Sequence, residues 1–135
     1  MKKTKVLLVG WNKEDQERME NSELALLYKK FELIFVSSPE LALHEIAKAK
    51  LLLQNPIRCL VFERQTLVEQ TKECKLVASF GYDNSGSFII INVRWHDNDH
   101  AVKEAAVTIE FCKEGEWNTL QELILKKCKQ QGWVS

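Results

Sequence analysis

The chain carries no net charge: nineteen Lys plus Arg balance nineteen Asp plus Glu over 135 residues. No overall field is then available to hold it on DNA, RNA or an anionic membrane, so neither nucleic-acid binding by this chain alone nor a membrane partner is expected. Long hydrophobic runs are missing too. Lys2, Lys3 and Lys5 open the chain, but Val6 to Val9 is far too short for a signal-peptide core or a membrane span, which points to a soluble, cytoplasmic protein. The cysteines, Cys59, Cys74, Cys112 and Cys128, form no CxxC and no close pairing with histidine. They read as reduced, mostly buried thiols, not as a redox or zinc centre. Gly10 is the only glycine in the turn that directly follows the first apolar run, so neither GxGxxG nor a P-loop is present there to cradle a nucleotide. No Ser-His-acid or Cys-His pair is identifiable.

What the chain does have is a regular alternation of short apolar runs and amphipathic stretches. At 45% hydrophobic and 28% charged, it fits a single domain over 1–135. Lys5 to Val9 predicts a buried first strand ending at Gly10-Trp11. A helix follows from Asn12, with Met19, Leu24, Leu27 and Phe31 along one side and Glu14, Asp15 and Glu17 in its early turns. Glu32 to Val36 predicts strand 2. Ser38-Pro39-Glu40-Leu41 has the form of an N-cap, a proline at the first helical position and a helix start. That helix carries Leu41, Leu43, Ile46, Ala47 and Ala49 and is broken by Asn55-Pro56. Ile57 to Phe62 is a third strand, stopping at Glu63-Arg64. A helix over Gln65–Ala78 has an untidy apolar stripe, and Gly81 to Gly86 reads as a loop. Phe88 to Ile91 is strand 4, ending at Asn92-Val93. A polar loop and a short helix over His100–Ala106 lead to strand 5, Val107 to Cys112, closed by Lys113. Thr119-Leu120-Gln121-Glu122 has the form of a capping box, and Leu120, Leu123, Ile124 and Cys128 give the last helix its apolar face. Five strands alternating with five helices imply an α/β, doubly wound parallel sheet. The flavodoxin-like order 2-1-3-4-5, a (βα)5 three-layer sandwich, is the natural choice.

In such a sheet the ends of strands 1, 3, 4 and 5 surround one shallow crevice, and here they offer Gly10-Trp11, Glu63, Asn92 and Lys113. The order and spacing of these segments resemble the receiver domains of bacterial two-component response regulators over nearly the whole length. Lys103 to Lys113 sits like the family's fourth helix, fifth strand and lysine, and Ser37 to Leu43 like its entry to the second helix. The resemblance implies a two-component signal-transduction role. Family members use an aspartate at the end of strand 3 to take a phosphoryl group, magnesium held by that aspartate and an acidic pair after strand 1, a hydroxyl residue ending strand 4 and a lysine ending strand 5. Lys113 matches the lysine. Glu63 replaces the aspartate, Asn92 the hydroxyl residue, and Gly10 and Trp11 the acidic pair. Magnesium demands oxygen ligands, so phosphoryl transfer loses its main electrostatic support. The family's relay aromatic, three residues before the lysine, is replaced by Glu110, with Phe111 beside it. Glu63 either pairs with Lys113, imitating a phosphorylated receiver, or is simply solvated at a strand end. Phe62 takes the strand-end position if the register slips by one residue.

The expectation is therefore a degenerate pseudo-receiver that works as an interaction module, needs no cofactor or metal, and is not an enzyme. Its face made by the fourth predicted helix, strand 5 and the last helix, carrying Trp95, His100, Lys103, Glu110 and Trp117, would meet a signalling protein or a second copy. Glu14 and Asp15 are better explained by the helix dipole than as metal ligands. In His96-Asp97-Asn98-Asp99-His100 the middle residues are better loop and cap residues than part of a helical metal site. Trp11, Trp95 and Trp117 are either binding anchors or partial covers of the core. A reading of a different class makes the crevice of Trp11, Glu63, Asn92 and Lys113 the site of a small α/β enzyme or ligand-binding protein. The chain also fits one domain of a longer regulator.

Overall fold

The computed structural model describes residues 3–11, 13–20, 29–52, 56–85, 89–94, 109–113 and 117–133. Its centre is three parallel strands: β1 (Thr4–Val9) lies between β2 (Phe31–Val36) and β3 (Ile57–Phe62). Val6, Leu7, Leu8 and Val9 of β1 and Cys59, Leu60, Val61 and Phe62 of β3 are all buried, which is why these strands read as unbroken apolar runs instead of alternating ones. The register pairs Val6 with Cys59, Leu7 with Leu60, Leu8 with Val61 and Val9 with Phe62. Successive side chains leave opposite faces, so Val6, Leu8, Cys59 and Val61 join one buried cluster, and Leu7, Val9, Leu60 and Phe62 the other. β2 is flanked on one side only and shows it: Glu32 is exposed and Leu33, Ile34 and Phe35 are half-buried.

Helices cover both faces, making an α/β fold. After the short polar α1 (Lys13–Glu20), α2 (Pro39–Leu51) begins as its sequence directs. Ser38 is extended, and its Oγ accepts from the Leu41 N–H at 3.3 Å, with Pro39 in the first turn and Lys48 and Lys50 in the last. The buried line is Pro39, Ala42, Ile46 and Ala49, spaced three and four apart. It is rotated from the expected stripe: Leu41 is exposed and Ala42 takes the sheet-facing position. Phe31, expected on the first helix, instead begins β2 and is buried there.

The helix expected over Gln65–Ala78 is two helices, α3 (Arg64–Glu69) and α4 (Thr71–Ser85). Gln70 breaks them at φ −123°, ψ 49°, and the Thr71 hydroxyl donates to the Leu67 carbonyl at 2.9 Å across the break. The untidy stripe is thereby explained, since Leu67 is buried from one helix and Cys74, Val77 and Ala78 from the next, while Leu76 faces solvent. The loop expected from Gly81 starts later: α4 runs on through Ser85 and Gly81 is buried within it.

Backbone pairing continues outward from β3. β4 (Ile89–Arg94) sets Asn92 beside Phe62, and β5 (Ile109–Lys113) sets Phe111 beside Asn92 and Lys113 beside Arg94, both in parallel register. α5 (Trp117–Gln130) then packs Leu120, Ile124 and Cys128, one turn apart, against the cluster opposite α2 and α4. Thr119 lies inside its first turn, not at the cap position of the expected capping box. The end of α5 is closed by a Schellman turn. Gly132 is left-handed at φ 76°, its N–H donates to the Lys129 carbonyl at 3.1 Å, and the Trp133 N–H donates to the Cys128 carbonyl at 2.9 Å. Trp133 packs against the same cluster, its carbonyl accepts from the Thr4 hydroxyl at 2.9 Å, and the Arg58 guanidinium stacks 5.1 Å from its ring centroid.

Candidate functional site

The carboxyl end of the sheet is where an open α/β protein places its chemistry. Three of the expected residues meet there, and each is engaged in structure. β1 and β3 end side by side: the Glu63 N–H donates to the Val9 carbonyl at 2.9 Å, and the Gly10 N–H donates to the Val36 carbonyl at 2.8 Å. β3 itself stops at Phe62, whose side chain is fully buried in the cluster with Leu7, Val9 and Leu60. Glu63 is the next residue and the N-cap of α3. Its Oε2 accepts from the Thr66 N–H at 3.0 Å and from the Thr66 hydroxyl at 3.4 Å. Its carboxylate is thus drawn over the first turn of the following helix, where the orphan N–H groups favour a negative charge.

Gly10 is required by the same contact. Its φ is +83°, and a Cβ built there would lie 2.6 Å from Thr66 Cβ and 2.8 Å from Thr66 Cγ2, in outright collision with the threonine. The ground that an acidic side chain after strand 1 would occupy is held by Thr66. Trp11 goes the other way. It is 3% exposed, joins the cluster of Val6, Leu8, Phe31, Val61 and α5, and its indole N–H donates to the Val61 carbonyl at 3.1 Å. Of the two readings of Trp11, cover and anchor, the structure has the cover. The crevice of the alternative enzyme reading consequently lacks this aromatic.

For the remaining strand-end residues the backbone gives the level only. Asn92 is level with Phe62, one residue short of Glu63, and Lys113 is two strands away from β3 and level with Arg94. The side chains of Asn92, Glu110, Lys113 and Trp117 fall outside the described part, as do residues Trp95, His100 and Lys103 and the whole His96–His100 segment. Glu14 is exposed in the first turn of α1. Among the described residues no group of three or more His, Cys, Asp or Glu is placed to hold a metal ion, and no helix is long and apolar enough to cross a membrane.

The described cysteines are free and buried. Burial pushes the Cys59 thiol well above its usual range, with the neighbouring Cys128 adding to it. Burial lifts Cys74 to about 12, with help from Glu73, and lifts Cys128 to about 12. Thiolates are the reactive form, so these three are poor nucleophiles.

Two residues that fix the ends of the sheet, Thr66 at the carboxyl end and Trp133 at the amino end, are not singled out by the sequence. Thr66 leaves a faint signal, the spacing of three from Glu63 that a cap and its N3 partner share, but glutamate is not among the favoured capping residues. Trp133 leaves a clearer one, an aromatic directly after Gly132 at the end of an amphipathic helix. No family model matches the chain, and no curated protein matches it.

Proposed function

We propose that this chain is an atypical receiver-like module of a cytoplasmic signalling system, working by protein–protein contact and not by Mg-dependent aspartyl phosphorylation. On this reading the three-stranded core extends to the five-stranded, doubly wound, flavodoxin-like sandwich, with β4 and β5 on one side. The observation that carries the proposal is the closure of the strand ends. Trp11 is turned into the core, Thr66 fills the space above Gly10, and the Glu63 carboxylate caps α3. A phosphoryl group with its metal needs open space and several oxygen ligands at this point. The scaffold of a switch is retained here with its chemical trigger built over.

The face proposed for function is the one receivers use for pairing and output, made by the predicted fourth helix, β5 and α5, with Trp95, His100, Lys103, Glu110 and Trp117 as its proposed contact residues. The partner is a signalling protein or a second copy of the chain. Incubation with acetyl phosphate and magnesium, followed by intact mass measurement, tests the chemical half of the proposal. No phosphoryl adduct is expected, and a stoichiometric, magnesium-dependent adduct would sink it. Capture of partners by wild type and by Lys113→Ala tests the other half: contact through this face predicts that the change at its edge weakens capture.

A further inference from the structure

We infer that the outer edge of β2 is the interface of a symmetric dimer, in which a second copy of the chain pairs antiparallel along this strand and the two sheets become one. The sheet order puts β2 at one edge, paired to β1 alone among the described strands. Its backbone shows which groups are left over. The Gly10 N–H donates to the Val36 carbonyl, so Val36 turns its peptide groups towards β1, and by the alternation of a parallel ladder Ile34 and Glu32 do the same. Leu33 and Phe35 therefore direct both N–H and C=O away from the sheet.

Edge strands ordinarily carry a defence against such pairing: a proline, a bulge or charges set along the strand. β2 has no proline, and its register with β1 runs from Phe31 to Val36 without a shift, unlike the register between β1 and β3. Its one charge, Glu32, is level with Lys5 on β1 and so stands beside an opposite one.

The side chains select a second copy as the partner. Leu33, Ile34 and Phe35 are half-buried, Leu33 and Phe35 against the cluster on which α5 packs and Ile34 against the cluster on the other face. Both clusters thus keep apolar surface open along the same edge. A two-fold axis at Ile34 covers all three residues at once. It sets Ile34 opposite its own counterpart and Leu33 opposite Phe35 of the other copy, so that apolar residues meet on both faces and each Leu33–Phe35 pair exchanges its outward N–H groups and carbonyls. The charges at the ends fit as well. Lys29 and Lys30 precede β2 and Glu40 follows it in the first turn of α2, so the antiparallel arrangement brings the two lysines of one copy alongside the exposed Glu40 of the other. A foreign strand would need the same apolar pattern on both faces and the same carboxylate beyond its end; this chain supplies both itself. β2 and β5 lie at opposite edges of the sheet, so this contact is separate from the face proposed for signalling and stands independently of the receiver reading.

Sedimentation of the full chain over about a hundredfold range of concentration, centred on the micromolar, should show a monomer–dimer equilibrium. Hydrogen exchange followed residue by residue reads the edge directly. The Leu33 and Phe35 amides should become protected as concentration rises, while those of Glu32 and Ile34 are protected throughout. Ile34→Lys places like charges face to face on the axis and should raise the dimer dissociation constant about a hundredfold. Ile34→Glu should do the same, and an equimolar mixture of the two variants should recover a heterodimer. Leu76→Ser, on the exposed side of α4, should leave the dimer unchanged. Circular dichroism checks that each variant folds, and the exchange measurement on the wild type needs no variant. A wild-type chain that stays monomeric, Leu33 and Phe35 amides whose exchange ignores concentration, a dimer that survives Ile34→Lys, folded charge variants that fail to pair when mixed, or a dimer lost in Leu76→Ser would each overturn the inference.

Discussion

At the carboxyl end of the sheet a carboxylate, an indole N–H and a hydroxyl all turn back into the protein, whereas at the amino end lysines stand on the surface around strand starts. Both ends belong to the same three strands and are assembled from equally ordinary residues. The difference lies in the residues just beyond β1 and β3. At the carboxyl end a left-handed glycine and a capping glutamate bring α3 down onto the end of β1, and Trp11 seals the other side. A parallel sheet does not by itself leave room beyond its strand ends: among the described residues Thr66 occupies the space above Gly10 and Trp11 is turned into the core.

The comparison is most easily broken at Trp11. Trp11→Ala removes a large, fully packed side chain and its hydrogen bond and should cost about 3–5 kcal/mol in urea unfolding, whereas Trp11→Phe should cost clearly less. If Trp11→Ala is nearly neutral, the carboxyl end is not sealed by this ring. A second break is chemical. The folded-state pKa values of the buried thiols are raised, so the folded chain keeps protons that the unfolded chain releases above about pH 9. Stability from this source is fully present below that pH and should fall as pH rises from about 9 towards 12, by up to about 1.4 kcal/mol per pH unit for each thiol. Chemical denaturation at pH 8 and pH 10 measures it, and replacing Cys74 by Ala should flatten the slope.

Gly10→Ala should destabilise by about 2 kcal/mol through a left-handed backbone and the clash with Thr66. In a double-mutant cycle with Thr66→Gly the steric share should return as a favourable coupling, while the backbone share remains. An absence of coupling would mean that Thr66 does not occupy the space above Gly10. Glu63→Ala should be the mildest, about 1 kcal/mol for a lost cap, with Glu63→Gln retaining part of it through its amide oxygen. A much larger loss would mean that the carboxylate does more than cap α3.

Legibility in the sequence tracks the range of the interactions. β1 and β3 are readable because strands buried on both faces must be apolar at every position, and the start of α2 because a serine followed by proline has few other uses. α5 is readable from Leu120, Ile124 and Cys128 at helical spacing. The break at Gln70 is not, because neither Gly nor Pro marks it and the Thr71 hydroxyl satisfies a freed carbonyl locally. At the candidate site the loss of the acidic pair is visible at once in Gly10 and Trp11. The direction of Trp11 is hidden, since an aromatic after a strand can turn to either face, and so is the role of Glu63, which depends on where Thr66 lies after the chain turns.

The packing of α5 also bears on the order in which the molecule can be made. Val6, Leu8, Cys59 and Val61 form one face of the central strands, and among the described helices α5 packs on it. During synthesis β1, β2 and β3 emerge and can pair long before residues 117–130 exist, so this apolar face waits for α5 through more than fifty residues of further translation. Trp11 and Phe31, already present, are what can shield it in the meantime. Trp11, which closes the carboxyl end of the finished protein, would thus also guard its unfinished core.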